Sequence, residues 1–412
     1  MNRVIADFHI HSKYSYATSK FMGIESLVEW GQLKGINLMG TGDFLHPLWQ
    51  KELDAFLEPA EQGLFKIKDK YEQDIQKKVY SSCRADQRFL LSGEVSLIFK
   101  RAGKCYKVHV LVLADSFEVV YKISQQLAKI GNVYSDGRPI LSCDIKDVMK
   151  IVFEASPDCM VIPAHIWTPH FGMLGSKFGF DSVEACFEEY SDYIYALETG
   201  LSSNFVMNAQ LSMLDRYALL CNSDAHSVEK LGREANILDI NLSYNNVCDA
   251  LKLKTDGLKK GIEFFPEGGK YYGTGHRKCN VYMTPEEVKH ARGICTVCSK
   301  PLTEGVLYRV SQLADRTEAE AQKYIRPGYK IVPLLDLISY SLGFASTSKR
   351  VQNKYHELLK TIGSEFFILL EAPIVEIARY GSAEIAEAIA KMRSGRLEVQ
   401  PGYDGEYGQI YF

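Results

Sequence analysis

Through about residue 245 the chain alternates short, apolar, β-rich runs with stretches of helical periodicity. Residues 4–10, 36–41, 89–99, 105–113, 159–164, 193–199 and 218–222 read as strands, the third and fourth paired through the turn Arg101-Ala102-Gly103. Between them, residues 24–34 form a helix with Ile24, Leu27, Val28 and Leu33 on its apolar face. Helices over 45–57 and 116–130 follow, then one capped by Ser142 and reaching Ala155. Strands alternating with helices predict an α/β fold with a largely parallel sheet, open or closed into a barrel. Near Gly257 the pattern changes: glycines, aromatics and charges cluster through residues 257–273. From about residue 319 it turns helical, with 331–342, 349–362 and 383–392 the better segments and a Gly- and Tyr-rich extended end over 402–412. The expected organisation is therefore 1–250, 251–318 and 319–412.

The polar residues that break the apolar runs carry the chemistry. His9 and His11 are two apart on a strand, so they project to one face at its C-terminal end, where parallel α/β folds place their sites. Asp43 follows the second strand in Gly-Thr-Gly-Asp-Phe-Leu-His46, Glu94 lies in Leu-Ser-Gly-Glu-Val, and His109 interrupts Val-His-Val-Leu-Val-Leu. His165 closes Met-Val-Ile-Pro-Ala-His, and Asp224 and His226 end Leu-Leu-Cys-Asn-Ser-Asp-Ala-His. A lone unpaired polar group buried there would cost roughly 2–7 kcal/mol. Converging on cations, these imidazoles and carboxylates would satisfy one another.

Composition narrows the partners. Apolar content of 46%, charged content of 24% and a net charge of −3 fit a globular chain without an overall basic footprint for nucleic acid or membrane, so any such contact needs a local groove. The start carries no signal-peptide pattern and no run approaches the roughly 20 apolar residues of a membrane span, which predicts a cytoplasmic protein. The ten cysteines then read as thiols or metal ligands. His276-Arg-Lys-Cys279, fifteen residues, and Cys295-Thr-Val-Cys298 have the spacing of a closed structural zinc site, with His290 as the other choice of fourth ligand. A redox Cys-x2-Cys lacks its usual βαβ setting.

The series from His9-x-His11 to Asp224-x-His226 resembles the PHP (polymerase and histidinol phosphatase) superfamily. That resemblance implies a distorted (β/α)7 barrel with two or three divalent metals at its mouth, Zn, Mn, Mg or Fe, hydrolysing phosphoesters. It implies His9, His11, Glu94, His109, His165, Asp224 and His226 as ligands, with Asp224, His226 and Glu94 nearest the chemistry. Many members have His directly after Asp in the second motif. Here Phe44 follows Asp43 and His46 comes two later, so either Asp43 or His46 fills that position. An Asp or His some members carry after the first motif is missing, with Tyr14 and Tyr16 nearby.

Longer stretches are similar to the endonuclease Q family: Gly40-Thr-Gly-Asp-Phe-Leu-His-Pro-Leu-Trp, Pro163-Ala-His-Ile-Trp-Thr-Pro-His-Phe-Gly, Gly175-Ser-Lys-Phe-Gly-Phe-Asp, Ala196-Leu-Glu-Thr-Gly, Asn222-Ser-Asp-Ala-His-Ser and Cys298-Ser-Lys-Pro-Leu-Thr-Glu-Gly. The implied activity is DNA repair: hydrolysis of the phosphodiester 5′ of uracil, hypoxanthine, xanthine or an abasic site by metal-activated water, leaving 3′-hydroxyl and 5′-phosphate. The implied architecture is the barrel, then a small zinc-binding module and a helical C-terminal region. A lesion must be extruded to be read. The stretch 167–181, rich in glycine and aromatics, is the candidate for that contact, through Trp167, His170, Phe171, Gly172, Ser176 and Lys177. Arg233, Lys278 and Arg292 are further candidates for phosphate. The tail Gln409-Ile-Tyr-Phe412 compares with short sliding-clamp-binding tails, and nothing demands more than a monomer. The competing expectations are a phosphomonoesterase of the histidinol phosphatase type and a non-catalytic scaffold.

Overall fold

The computed structural model describes residues 2–412. Seven strands form a circuit: β1 Asn2–Asp7, β2 Leu38–Gly40, β3 Arg88–Arg101, β4 Lys104–Ala114, β5 Met160–Ala164, β6 Ala196–Glu198 and β7 Ala218–Leu220. β1, β2 and β3 pair in parallel, β4 runs antiparallel between β3 and β5, and β6 and β7 are parallel. Two seams close the circuit. Ile166 N–H donates to Glu198 O at 3.0 Å, joining β5 to β6. Beyond β7, Asn222 Oδ1 accepts from Phe8 N–H and Ala225 O from His11 N–H, each at 3.0 Å, which returns the chain to β1. Their inward side chains (Val4, Ala6, Phe8, Leu38, Leu90, Leu111, Ile162, Ala196, Ala218, Leu220) make one buried cluster, and a larger cluster lies outside under the helices.

Helices fill the intervals as the periodicity predicts. The first, Ile24–Lys34, has the expected bounds, and Ile24, Leu27 and Val28 are buried at 0–3% exposure, each stabilising the fold by about 1.5–3 kcal/mol. The helix Ile145–Ala155 is capped by Asp144, not by Ser142: the Asp144 carboxylate accepts from Lys146 N–H and forms a reciprocal capping box with Asp147. A carboxylate at the positive helix end outcompetes a hydroxyl two residues earlier.

The sheet continues past β1. Ala235–Ile240 lies antiparallel to β1, followed by Leu258–Glu263 and then Gly328–Lys330. The middle strand falls within the stretch 251–318 that the sequence sets apart. Next come a hairpin, Thr274–His276 with Val281–Met283, and a short helix Pro285–His290 boxed by Thr284 and Glu287. Five helices, Leu334–Leu342, Lys349–Thr361, Glu365–Leu370, Ile374–Tyr380 and Ala383–Arg393, precede a final hairpin of Glu398–Gln400 with Gln409–Tyr411. The tail is therefore not a free extended peptide: Ile410 is buried, and the Phe412 ring lies 5.4 Å from that of Tyr340.

One buried ion pair ties the helical region to the first helix. Lys34 Nζ lies 2.8 Å from Glu365 Oε2, both side chains at 5% exposure or less. Glu365 also accepts from Leu334 N–H and Tyr355 O–H, and Lys34 donates to Glu229 O. Among the described residues no helix is long and apolar enough to cross a membrane.

Candidate metal centre

The ends of the circuit strands bring their polar residues to one place. His9 and His11 follow β1, His165 follows β5, Glu198 ends β6, and Asp224 and His226 lie beyond β7. Glu94 and His109 project from facing positions within the long β3–β4 pair, where Ser96 is the direct partner of His109. Ligand atoms of His9, His11, Glu94 and Asp224 all lie within 4.8 Å of one another. So do those of Glu94, His109 and His165, and those of His9, His165 and Glu198. The three groups share Glu94, His9 and His165, so they form adjacent positions of one cluster.

The hydrogen bonds fix which atoms face inward. His9 Nδ1–H donates to Glu198 at 2.9 Å, and Asn222 donates to the same carboxylate at 2.8 Å. This leaves His9 Nε2 pointing at Glu94 Oε2, 3.3 Å away. His11 Nε2 lies 3.2 Å from Glu94 and 3.0 Å from Asp224. His109 Nδ1 comes within 2.5 Å of Glu94 Oε1, and His165 Nε2 within 3.4 Å of Asp224 Oδ2. Yet His9 Nε2, Glu94 Oε1, His109 Nδ1 and His165 Nε2 are all buried without a well-directed hydrogen bond, although each has another polar atom of the cluster close by. Buried polar atoms are normally paired. Four orphans aimed at a common spot, of the donor types that bind divalent cations, fit a metal cluster. His226 stands at the rim, its side chain 31% exposed. Its Nδ1–H donates to the Asp224 carbonyl at 2.9 Å, so Nε2 carries the lone pair.

Electrostatics agrees with this geometry. Burial disfavours charge on His9, but Glu198 and Glu94 outweigh it and raise its proton affinity well above the usual range. For His11, Asp43, Asp224 and Glu94 do the same. Burial likewise works against the Glu94 and Asp224 carboxylates, which the surrounding imidazoles nonetheless hold well below the ordinary range. Each shift is the mutual effect of imidazoles and carboxylates, which favour opposite charge in one another.

Three sequence candidates fall outside the three groups: His226 at the rim, and Asp43 and His46. Asp43 lies behind His11: its carboxylate accepts from His11 Nδ1–H at 2.9 Å, Ser12 N–H and Oγ–H at 2.6 Å each, and Ser15 Oγ–H at 2.9 Å. Its oxygens are occupied, and burial is outweighed by His11 and Ser12 so that it stays ionised. His46 donates from Nε2 to Tyr134 O at 3.0 Å and stacks on Tyr14 at 4.5 Å. Glu198 is the member sequence reading missed. Its signal, a carboxylate in an otherwise apolar strand, is the one that singled out Glu94.

The stretch 167–181 folds as a tight loop against β4. Trp167 is buried, donating to Asn208 Oδ1, so it cannot stack on a base; an indole in the core is held by its one polar bond. A Cβ on Gly172 would meet Thr168 N at 2.5 Å, so this glycine packs the loop on itself. His170 and Lys177 are exposed, Phe171 is half-buried with its ring 4.6 Å from that of His109, and the Ser176 hydroxyl is buried without a partner. Arg309 holds the loop from the helix Val306–Leu313, donating to Leu174 O and Phe180 O at 3.0 Å each. Arg233 donates to the carbonyls of Ser223 and Asp224, fixing that turn, while Lys278 and Arg292 are exposed.

A second group lies apart from the circuit. His276 Nδ1 and the thiols of Cys279, Cys295 and Cys298 are within 4.8 Å of one another, with Cys298 Sγ 3.3 Å from His276. His290 is not a member.

A family model described as the MJ0043 C-terminal domain matches residues 333–396. Uncharacterized protein MJ0043 of Methanocaldococcus jannaschii is 32% identical over 296 residues, 69% of this chain and 35% of that protein, so the chain spans about a third of that relative's length. Uncharacterized protein YqxK of Bacillus subtilis is 30% identical over the full length of both chains. Among solved structures, the lesion-specific endonuclease PfuEndoQ of Pyrococcus furiosus superposes with a TM-score of 0.84 at 30% identity, covering 100% of this chain and 96% of that one. An endonuclease Q complex with a 27-mer duplex carrying an abasic lesion at the active site gives 0.83 at 29% identity, covering 100% and 97%.

Proposed function

The chain belongs to the endonuclease Q family, and from that membership we propose that it is a DNA repair endonuclease that hydrolyses the phosphodiester 5′ of uracil, hypoxanthine, xanthine or an abasic site. The observation that carries the reading is the convergence of His9, His11, Glu94 and Asp224, with His9 Nε2 and Glu94 Oε1 buried and unpartnered. In this reading the circuit of strands is the distorted barrel of the PHP superfamily. His9, His11, Glu94, His109, His165, Asp224 and His226 hold two or three divalent cations, and the His276–Cys298 group holds a structural zinc. Divalent cations bound there supply activation of water near neutral pH and neutralise charge on the phosphate.

The side chains do the remaining work. Glu198 and Asp43 hold the rings of His9 and His11 by their Nδ1–H, so that Nε2 faces the substrate end. Asp224, at φ 46°, takes a left-handed backbone that turns its carboxylate between His11 and His165. Hydrolysis forms a bond from the water oxygen to phosphorus and breaks the bond from phosphorus to O3′, which leaves with a proton. His226, at the exposed rim, is the candidate to handle protons there. The exposed rings of Tyr16, Phe21 and Tyr134 are available for stacking on an opened strand.

The test uses end-labelled oligonucleotides carrying one uracil, one hypoxanthine, one abasic site or none, with Mg²⁺ or Mn²⁺. We expect a single nick 5′ of each lesion, abolished by EDTA and reduced at least about 10³-fold in Asp224→Ala. Intact lesion strands beside turnover of histidinol phosphate would move the reading to a phosphomonoesterase.

A further inference from the structure

Residues 131–139 form an irregular loop that carries an arginine to the cluster. Arg138 Nη1 lies 3.3 Å from Glu94 Oε2, and its side chain is 25% exposed, so the guanidinium is held against the carboxylate and remains in part open to solvent. The loop is fastened almost entirely by the segments around the first two motifs. Gly137 N–H donates to Tyr14 O at 3.0 Å, Tyr16 N–H donates to Asp136 Oδ1 at 3.2 Å, and Ser96 N–H to Pro139 O at 3.0 Å. His46 donates to Tyr134 O. A Cβ on Gly137 would lie 2.4 Å from the Asp43 carboxylate and 2.5 Å from Ser15 Oγ, so the loop passes directly over the Asp43 cage.

A guanidinium is permanently charged, with a planar fork of donors that matches two oxygens of a phosphate. Beside a site that gathers divalent cations it would be repelled, unless carboxylates lie on one side of it and an anion enters on the other. Glu94 and Asp224 provide the first condition. The anion that a phosphoesterase site receives provides the second.

We propose that Arg138 is a catalytic residue that grips the non-bridging oxygens of the scissile phosphate, and that Asp43 and His46 are positioning residues for the loop that delivers it. The proposal rests on the phosphodiesterase reading above. It also gives the altered second motif a job: with Phe44 in place of the usual histidine, Asp43 and His46 serve the arginine loop.

The experiment compares the full-length protein with Arg138→Ala, Arg138→Lys, His46→Ala and His46→Gln. The readouts are single-turnover nicking of an abasic duplex, hydrolysis of bis(para-nitrophenyl) phosphate, duplex affinity in EDTA, and bound metal per chain. We expect Arg138→Ala to lose about 10²–10³-fold in single-turnover rate on both diesters, with metal content unchanged. Added guanidinium should restore part of that rate, and Arg138→Lys should fall between. Duplex affinity in EDTA should weaken, with a salt slope smaller by about one. His46→Ala should lower the rate about tenfold without releasing metal, and His46→Gln, which keeps a donor for Tyr134 O, should recover it. Wild-type rates in Arg138→Ala, or a loss that tracks lost metal, would overturn the clamp. A wild type that ignores lesions yet cleaves the small diester in an Arg138-dependent way would instead overturn the DNA reading and keep the clamp. Inactivity on both diesters would end both.

Discussion

Glu198 belongs to one of the three ligand groups and also decides the orientation of His9, whose Nδ1–H it accepts while Asn222 holds the carboxylate from the other side. Replacing it by Gln keeps the shape and removes the charge. We expect Glu198→Gln to weaken metal binding about 10–100-fold, read by titration against a competing chelator, with the fold intact by circular dichroism. Unchanged affinity would mean that the ring of His9 is fixed by packing alone. At this scale the sequence was informative about residue type and much less about depth. A carboxylate or imidazole ending an apolar run is visible, and His9, His11, Glu94, His109, His165 and Asp224 do meet. Whether it faces the cluster or supports a neighbour depends on hydrogen bonds made across the fold. Asp43 sends both oxygens to His11, Ser12 and Ser15, so it passes for a ligand on paper. Trp167 failed for the related reason that an aromatic in a glycine-rich stretch suits a stacking platform and a buried anchor equally.

At the scale of elements, periodicity located the long helices and the circuit strands, and it faltered where a segment was short or lacked alternation. Leu258–Glu263 is one such strand: Leu-Lys-Lys-Gly-Ile-Glu shows neither pattern clearly, and its place comes from pairing with Ala235–Ile240. Its last residue, Glu263, accepts from Phe205 N–H at 2.7 Å, and burial pushes its carboxyl up to about 7 from an ordinary 4.5. Glu234 nearby is displaced in the same direction, again chiefly by burial. The folded chain thus keeps a proton that the unfolded chain releases. The stability contributed by protonated Glu263 is complete below pH about 4.5, falls as pH rises toward 7, and is lost above it, a span of about 3 kcal/mol. Glu263→Gln keeps the acceptor for Phe205 and removes the titration. Its Tm should exceed that of the wild type at pH 8, and the gap should close toward pH 5. Equal gaps at both pH values would show that Glu263 does not carry this slope.

For the whole molecule, the cysteine group and the tail act together. Asp404 accepts from Arg277 N–H and Thr303 Oγ–H, and Gly402 exchanges backbone bonds with Glu267 and Gly273, so the final hairpin is stitched to the segment that holds His276 and Cys279. On the other side Arg309 ties the same region to the loop after His165. Cys298→Ser should therefore release one zinc per chain and weaken binding of lesion duplex, while hydrolysis of bis(para-nitrophenyl) phosphate stays within about threefold of wild type. Metal analysis and the two substrates would check it, and a parallel loss on both substrates would place the cysteine group in support of the cluster itself. None of these long-range ties leaves a trace in local pattern, because each joins residues about a hundred or more apart.

The buried pair of Lys34 and Glu365 sets a condition on ancestry. A charge stranded in such a place costs about 3–5 kcal/mol, a large part of what keeps a protein folded. The ammonium and its carboxylate stand 331 positions apart in the sequence (365 less 34). A change in either half strands the other, so the two positions are inherited as a linked pair.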